Sequence, residues 1–140
     1  MIGDPADPAT QIGPLATEQG RRDVSELVED ARERGATILT GGESLGEAGW
    51  FYRPTVISDI PADAEIRVEE CFGPVASVYR VSSLDEALRV ANETRFGLGS
   101  AIWTEDPAET EPAVAELDAG AVNVNGMTIS YPELPFGRVK

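Results

Sequence analysis

Apolar side chains return at Val24, Leu27, Val28 and Ala31, the i, i+3, i+4, i+7 spacing of one helical face. Thr17 is placed to cap that helix, which the pattern carries to about Arg34, and Gly35 supplies a left-handed stop. Ala36 to Thr40 then reads as a short strand and Gly41 to Gly49 as a polar turn. Phe51 to Ile57 reads as a second extended segment, with Pro54 pointing to an edge or a bulge. Residues 1–15, broken by Pro5, Pro8 and Pro14, read as an irregular lead-in. From residue 75 the alternation is regular: Val75 to Val81 is strand-like, and Ser83 with Glu86 forms an S-x-x-E capping box before the stripe Leu84, Ala87, Leu88 and Ala91. Phe96-Gly97 closes that helix. Leu98 to Trp103 is a buried-looking strand, and Asp106-Pro107 opens a helix ending near Leu117, which Pro112 either kinks or truly begins. Ala121 to Val124 is the last strand, before a Pro-rich tail from Ser130 to Lys140. Strand–helix–strand–helix–strand predicts an α/β fold, a mainly parallel sheet with flanking helices.

Composition narrows the function classes. With 140 residues the chain is one domain or part of a larger one, and 41% apolar content is enough for a core. The formal charge is −14, from 25 acidic against 11 basic residues, which argues against nucleic-acid or anionic-membrane partners. No apolar run approaches a membrane span, and Met1-Ile2-Gly3-Asp4 lacks the pattern of a signal peptide. A single cysteine, Cys71, cannot pair internally, so a reducing cytoplasm is the expected compartment. With no histidine, a zinc site or a Ser-His-Asp triad is impossible in this chain, and only a carboxylate site for a hard cation stays open. Arginine occurs ten times and lysine once, at Lys140. That acidic, lysine-poor surface suits a high-salt cytoplasm, a halophilic reading.

Candidate chemistry concentrates in one place. A dinucleotide fingerprint is missing: Gly97-Leu98-Gly99 has Ile102 where the third glycine belongs, and it precedes a strand. No Walker A sequence is present either. The densest constellation is Glu69-Glu70-Cys71-Phe72-Gly73-Pro74-Val75. Two carboxylates before Cys71 disfavour a thiolate, and no histidine is available as base, so a small buried or half-buried structural thiol is expected. Glu69 and Glu70, being adjacent, diverge and do not form a proton-sharing dyad. One can be solvated while the other accepts bonds from two neighbouring hydroxyls, as in a ribose diol.

Taken in order, these residues resemble the NAD(P)-dependent aldehyde dehydrogenases. Gly3-Asp4-Pro5, Asp7-Pro8, Thr10 and Gly13-Pro14-Leu15 are similar to the family's G-D-P-x-x-P-x-T-x-x-G-P-L passage. Gly35-Ala36-Thr37, Thr40-Gly41-Gly42 and Pro54-Thr55-Val56 follow in the expected sequence, and Glu69 to Val75 resembles the E-E-x-F-G-P-V motif. Asn92 to Leu98, Trp103-Thr104, Ala119-Gly120, Val124-Asn125 and Pro135-Phe136-Gly137 complete the series. The resemblance implies a C-terminal piece of the catalytic domain over residues 1–140, lacking the Rossmann domain and the oligomerisation strand.

By the same resemblance Glu70 matches the carboxylate that bonds the nicotinamide ribose, Phe72 the aromatic beside it, and Ser130 and Phe136 the wall of the aldehyde tunnel. The parent activity implied is oxidation of an aldehyde to a carboxylate with NAD or NADP. In it a cysteine thiolate forms a thiohemiacetal and a glutamate base activates water. That cysteine and glutamate belong upstream of this sequence, and Cys71 occupies a variable motif position. No catalytic or metal-ligating residue is therefore assigned here, and the isolated chain is expected to be inactive. Arg138 stands where the family has a second glycine. The alternative reading is a non-catalytic interaction module, or a split-gene half, that associates with an aldehyde dehydrogenase partner as a homo- or hetero-oligomer.

Overall fold

The computed structural model describes residues 1–46 and 48–140; Glu47, inside the predicted Gly41–Gly49 turn, lies outside them. The described residues form two compact units, Met1–Arg80 and Val81–Lys140.

In the first unit, helix α1 spans Glu18–Glu33, as the apolar stripe predicts, and buries Val24, Val28 and Ala31. Thr17 caps it, its hydroxyl accepting from the Gly20 amide at 3.0 Å. At the other end Gly35 (φ 107°) takes the left-handed conformation. The Ala36 amide then reaches the Ala31 carbonyl at 2.9 Å and the Gly35 amide reaches Arg32, a Schellman closure between two buried alanines. The strand after it, β1 (Thr37–Thr40), pairs antiparallel with β4 (Thr55–Ser58), and β4 pairs parallel with β5 (Val75–Val78), giving the order β1-β4-β5. The sheet is therefore mixed. The predicted strand Phe51–Ile57 is two pieces: β3 (Phe51–Tyr52) pairs with β2 (Ser44–Leu45) as a hairpin, and β4 begins only after Pro54. Proline cannot donate to a ladder, so the strand is interrupted where it sits. The predicted strand from Val75 stops at Val78 rather than Val81. Tyr52, Ile57, Ile60, Ala64 and Ile66 close the core over α1, and buried Thr55 is satisfied by donating to the Arg53 carbonyl and accepting from the Gly42 amide.

In the second unit, α2 (Leu84–Ala91) is capped by Ser83, which accepts from the Glu86 amide at 3.2 Å. The reciprocal half of the expected capping box is displaced by one residue. The Glu86 carboxylate accepts from the amide and the hydroxyl of Ser82, both at 2.8 Å, while the Ser83 hydroxyl is engaged with the Glu86 amide. Those bonds, the backbone one first, hold the Glu86 carboxyl below the usual carboxylate range. Strands β6 (Gly99–Ile102) and β7 (Ala121–Val124) pair parallel through the crossover helix α3 (Pro107–Glu116). Asp106 caps α3 and Pro107 occupies its first turn, so Pro112 lies inside the helix and is not its start. The fold class expected from sequence, α/β, is the one observed.

Candidate functional site

The Glu69–Val75 motif is built by what flanks it. A single 3-10 turn, Glu65–Arg67, buries Ile66 and is bolted to α1: the Glu65 amide donates to the Asp30 carboxylate at 2.8 Å. Arg34 bonds Asp30 at 2.6 Å and Asp63 at 3.0 Å. The backbone bond from Glu65, then Arg34, holds the Asp30 carboxyl below its usual range. Past the motif, the Thr55 amide donates to the Pro74 carbonyl at 2.8 Å, and Val75 enters the sheet opposite Thr55. Between these anchors Gly73 lies hard against α1. A Cβ on it would stand 2.6 Å from Val24 Cγ2, and Val24 is 1% exposed, so no other residue fits without shifting the helix or the turn.

Residues 70–72 therefore leave a turn fixed at both ends. Glu70 is exposed and Phe72 is 75% exposed, so neither joins the interior. Among the described residues Glu70 has no hydrogen-bond or ion-pair partner. Cys71, between them, packs against the core, and burial pushes its thiol pKa up. It is half-buried, within the buried or half-buried structural role expected of it. Chemically, the bend presents an exposed carboxylate acceptor and, two residues on, an exposed apolar ring.

Ser130 and Phe136 lie in the second unit, both exposed, on the coil between Asn125 and Lys140. The start of that coil is set by two asparagines. Asn125, at φ 51°, grips the Thr104 backbone twice, its side-chain oxygen accepting from the amide and its nitrogen donating to the carbonyl, each at 2.9 Å. Asn123 and Thr128 both donate to the Ser100 carbonyl at 3.2 Å. The left-handed backbone explains why asparagine stands at 125. The structure thus pairs Glu70 with Phe72 on one turn and Ser130 with Phe136 on one loop. Concavities of about 700 Å³ beside Thr104, Pro107 and Val114, of 440 Å³ beside Thr40 and Arg53, and of 240 Å³ beside Leu45 and Phe51 are lined by none of these four. The asparagine clamps carry no chemistry of their own, and the sequence signal for them was only the Val124-Asn125 motif. Among the described residues no group of three or more Asp, Glu, Cys or His could hold a metal ion, and no helix is long and apolar enough to cross a membrane.

Residues 1–140 match the family model described as aldehyde dehydrogenase family. The chain belongs to the aldehyde dehydrogenase family. It is 57% identical over 139 residues to succinate-semialdehyde dehydrogenase [NADP(+)] 1 of Mycobacterium tuberculosis, covering 99% of this chain and 30% of that protein. The Mycobacterium ulcerans protein of the same name is 55% identical over the same span. Among solved structures, succinic semialdehyde dehydrogenase from Streptococcus pyogenes, in complex with NADP+ as the cofactor, matches with a TM-score of 0.92. Its identity is 38%, over 99% of this chain and 30% of that one. Aldehyde dehydrogenase 21 from Physcomitrella patens, in complex with the reaction product succinate, matches at 0.91 and 34% identity, covering 99% and 28%. The chain thus spans about 30% of the length of the curated relatives it matches.

Proposed function

We propose that this chain contributes the nicotinamide-side lip and an aldehyde-facing loop to an aldehyde dehydrogenase that oxidises an aldehyde to a carboxylate with NAD(P)+, and that it does not turn over alone. The observation that carries this reading is the Glu70–Phe72 pair, presented to solvent from a bend anchored on α1 and β4. An exposed carboxylate beside an exposed ring fits a ribose diol with its attached flat base, since one carboxylate accepts from two vicinal hydroxyls. When bound, NAD(P)+ supplies the hydride acceptor. Glu70 holds the ribose hydroxyls and Phe72 flanks the ring, fixing the face that the reacting carbon meets. No glycine-rich phosphate loop is present in this sequence, so these residues provide only the nicotinamide end.

The names of the relatives favour NADP+ as the dinucleotide and a short aldehyde carrying a carboxylate as substrate. On that reading the Ser130 hydroxyl supplies a polar contact and Phe136 an apolar wall. The only thiol, Cys71, is half-buried with a raised pKa, which supports an inactive isolated chain.

A chimera tests the reading. In the M. tuberculosis relative, the 139 matching residues are replaced by this chain, and NADPH formation from succinate semialdehyde is followed at 340 nm. The chimera is expected to turn over, and Glu70→Gln to lower kcat/KM by about ten- to hundredfold, the loss of bonds to a charged acceptor. A folded chimera without activity, or one indifferent to Glu70→Gln, overturns the assignment. Thiol-dependent turnover by the isolated chain overturns its inactivity.

One observation favours the second reading, an interaction module. In the second unit only Leu88 and Ala113 are buried among the large and small hydrophobics, while Trp103, Met127, Ile129, Leu134 and Val139 are exposed. Co-elution with the remaining part of the same relative, without gain of activity, is the result that would favour it.

The acidity supports a further part of the proposal, that the chain works in a salt-rich cytoplasm. With one lysine and a charge of −14, self-repulsion is screened as the Debye length falls from about 10 Å at 0.1 M to about 3 Å at 1 M. Circular dichroism is expected to show more structure in molar salt than in dilute buffer. Equal spectra would remove the halophilic reading.

A further inference from the structure

The loop that carries Ser130 and Phe136 is tied down at both ends, and the second tie is made by the only lysine in the chain. Its first end is Thr128, bonded to Ser100 as described above. Its second end is residues 137–140. The Val139 amide donates to the Gly97 carbonyl at 3.2 Å. Gly120 has no side chain because the tail lies on it: a Cβ there would fall 1.5 Å from the Gly137 carbonyl oxygen. Lys140 then reaches past both, and its ammonium donates to the Asn92 carbonyl at 2.9 Å, with Asp118 Oδ2 at 3.5 Å.

Asn92 is the C-cap of α2, where carbonyls run out of helical partners and the helix dipole is negative, so a cation is favoured there. The same asparagine holds the end of α3, donating to the Glu116 carbonyl at 2.7 Å and accepting from the Asp118 amide at 2.9 Å. The ammonium therefore bonds the end of α2, at the residue whose side chain also holds the end of α3. Its side chain is 26% exposed, against 63% for Asp118. The short bond to the carbonyl outweighs the long, solvated contact to the carboxylate.

We propose that Lys140 is a positioning residue that latches the loop 129–136, and through it Ser130 and Phe136, onto the ends of α2 and α3. The choice of loop as a substrate wall rests on the function proposed above; the latch itself does not. The Lys140 stem runs beside the Gly97 backbone and its ammonium ends on a single carbonyl.

Amide hydrogen exchange on the 140-residue chain reads the latch directly. Lys140→Met keeps the stem and removes the donor. It is expected to speed exchange of the hydrogen-bonded Val139 and Leu134 amides by at least about tenfold, with Val24 and Val28 in α1 unchanged. Asp118→Asn is expected to leave exchange as in the wild type, and Lys140→Arg to restore most of the protection by returning a donor. Wild-type protection of Val139 in Lys140→Met overturns the latch. Equal losses in α1 overturn it too, since they mean global unfolding. An arginine variant as open as the methionine one is a third refutation. In the chimera, Lys140→Met is expected to raise KM for the aldehyde more than KM for the dinucleotide. Lost protection with both KM values unchanged would remove Ser130 and Phe136 from the aldehyde site while leaving the latch in place.

Discussion

The two units of this chain hold themselves together by different means. Residues 1–80 contribute nine of the eleven buried hydrophobic residues found among the described ones, from Val24 on α1 to Ile66 beyond the sheet. Residues 81–140 contribute two, Leu88 and Ala113, and depend on polar ties: Asn92, Asn123, Asn125 and Lys140 each bond backbone groups far away in sequence. Burial is non-directional and tolerates small movements, whereas an amide clamp fails when its partner shifts by an ångström. The first unit accordingly offers a rigid base for the Glu70–Phe72 lip. The second offers a loop fixed in direction by a few hydrogen bonds, with its apolar side chains left outward.

Removing a core residue from the first unit should give the largest effect. Ile57 is fully buried on β4, and Ile57→Ala is expected to cost about 2–5 kcal/mol in denaturant unfolding, with exchange protection falling throughout α1. If that change barely moved the midpoint, the contrast between units would be wrong at its stronger end. Next comes the clamp of the second unit. Asn125→Ala deletes both bonds to Thr104 and leaves a left-handed backbone position without asparagine. A cost of about 1–3 kcal/mol is expected, confined by exchange to β6, β7 and the tail. Loss of protection across the first unit as well would contradict a local clamp.

The smallest expected effect is on pH dependence. The Asp30 pKa is lowered in the fold, so its bonds to Glu65 and Arg34 stabilise the protein above the ordinary carboxylate range, and that stability is lost as pH falls through the lowered value. Protonation elsewhere relieves the overall negative charge. The informative quantity is therefore the difference between wild type and Asp30→Asn, which should be greatest near neutrality and shrink in acid. A gap that stayed constant with pH would mean that the carboxylate charge plays no part in docking the 65–67 turn.

Much of the local structure was legible before folding. The 3.6-residue stripe and the caps Thr17, Ser83 and Asp106 place the starts of all three helices and the ends of α1 and α3 within a residue or two, because caps and stripes act between residues already close in sequence. The end of α2 differs: it falls at Ala91 and not at the expected Phe96-Gly97. Pairing was less legible. Val75 was expected in a parallel arrangement and has it, but its partner is β4, which also pairs antiparallel with β1. Nothing local in Thr55–Ser58 distinguishes those edges. Likewise the Glu86 carboxylate passed over Ser83 for Ser82 because the backbone bend before α2 brings two donors to it.

The motifs that name the family, and with them the residues Glu70, Phe72, Ser130 and Phe136, were set by sequence alone, since recognition needs only residue types in order. So were the excess of acid and the near-absence of lysine. Only the folded chain showed why Gly73 and Gly120 can bear no side chain, and what the one lysine holds. Each of those answers depends on atoms dozens of residues away arriving within a few ångströms.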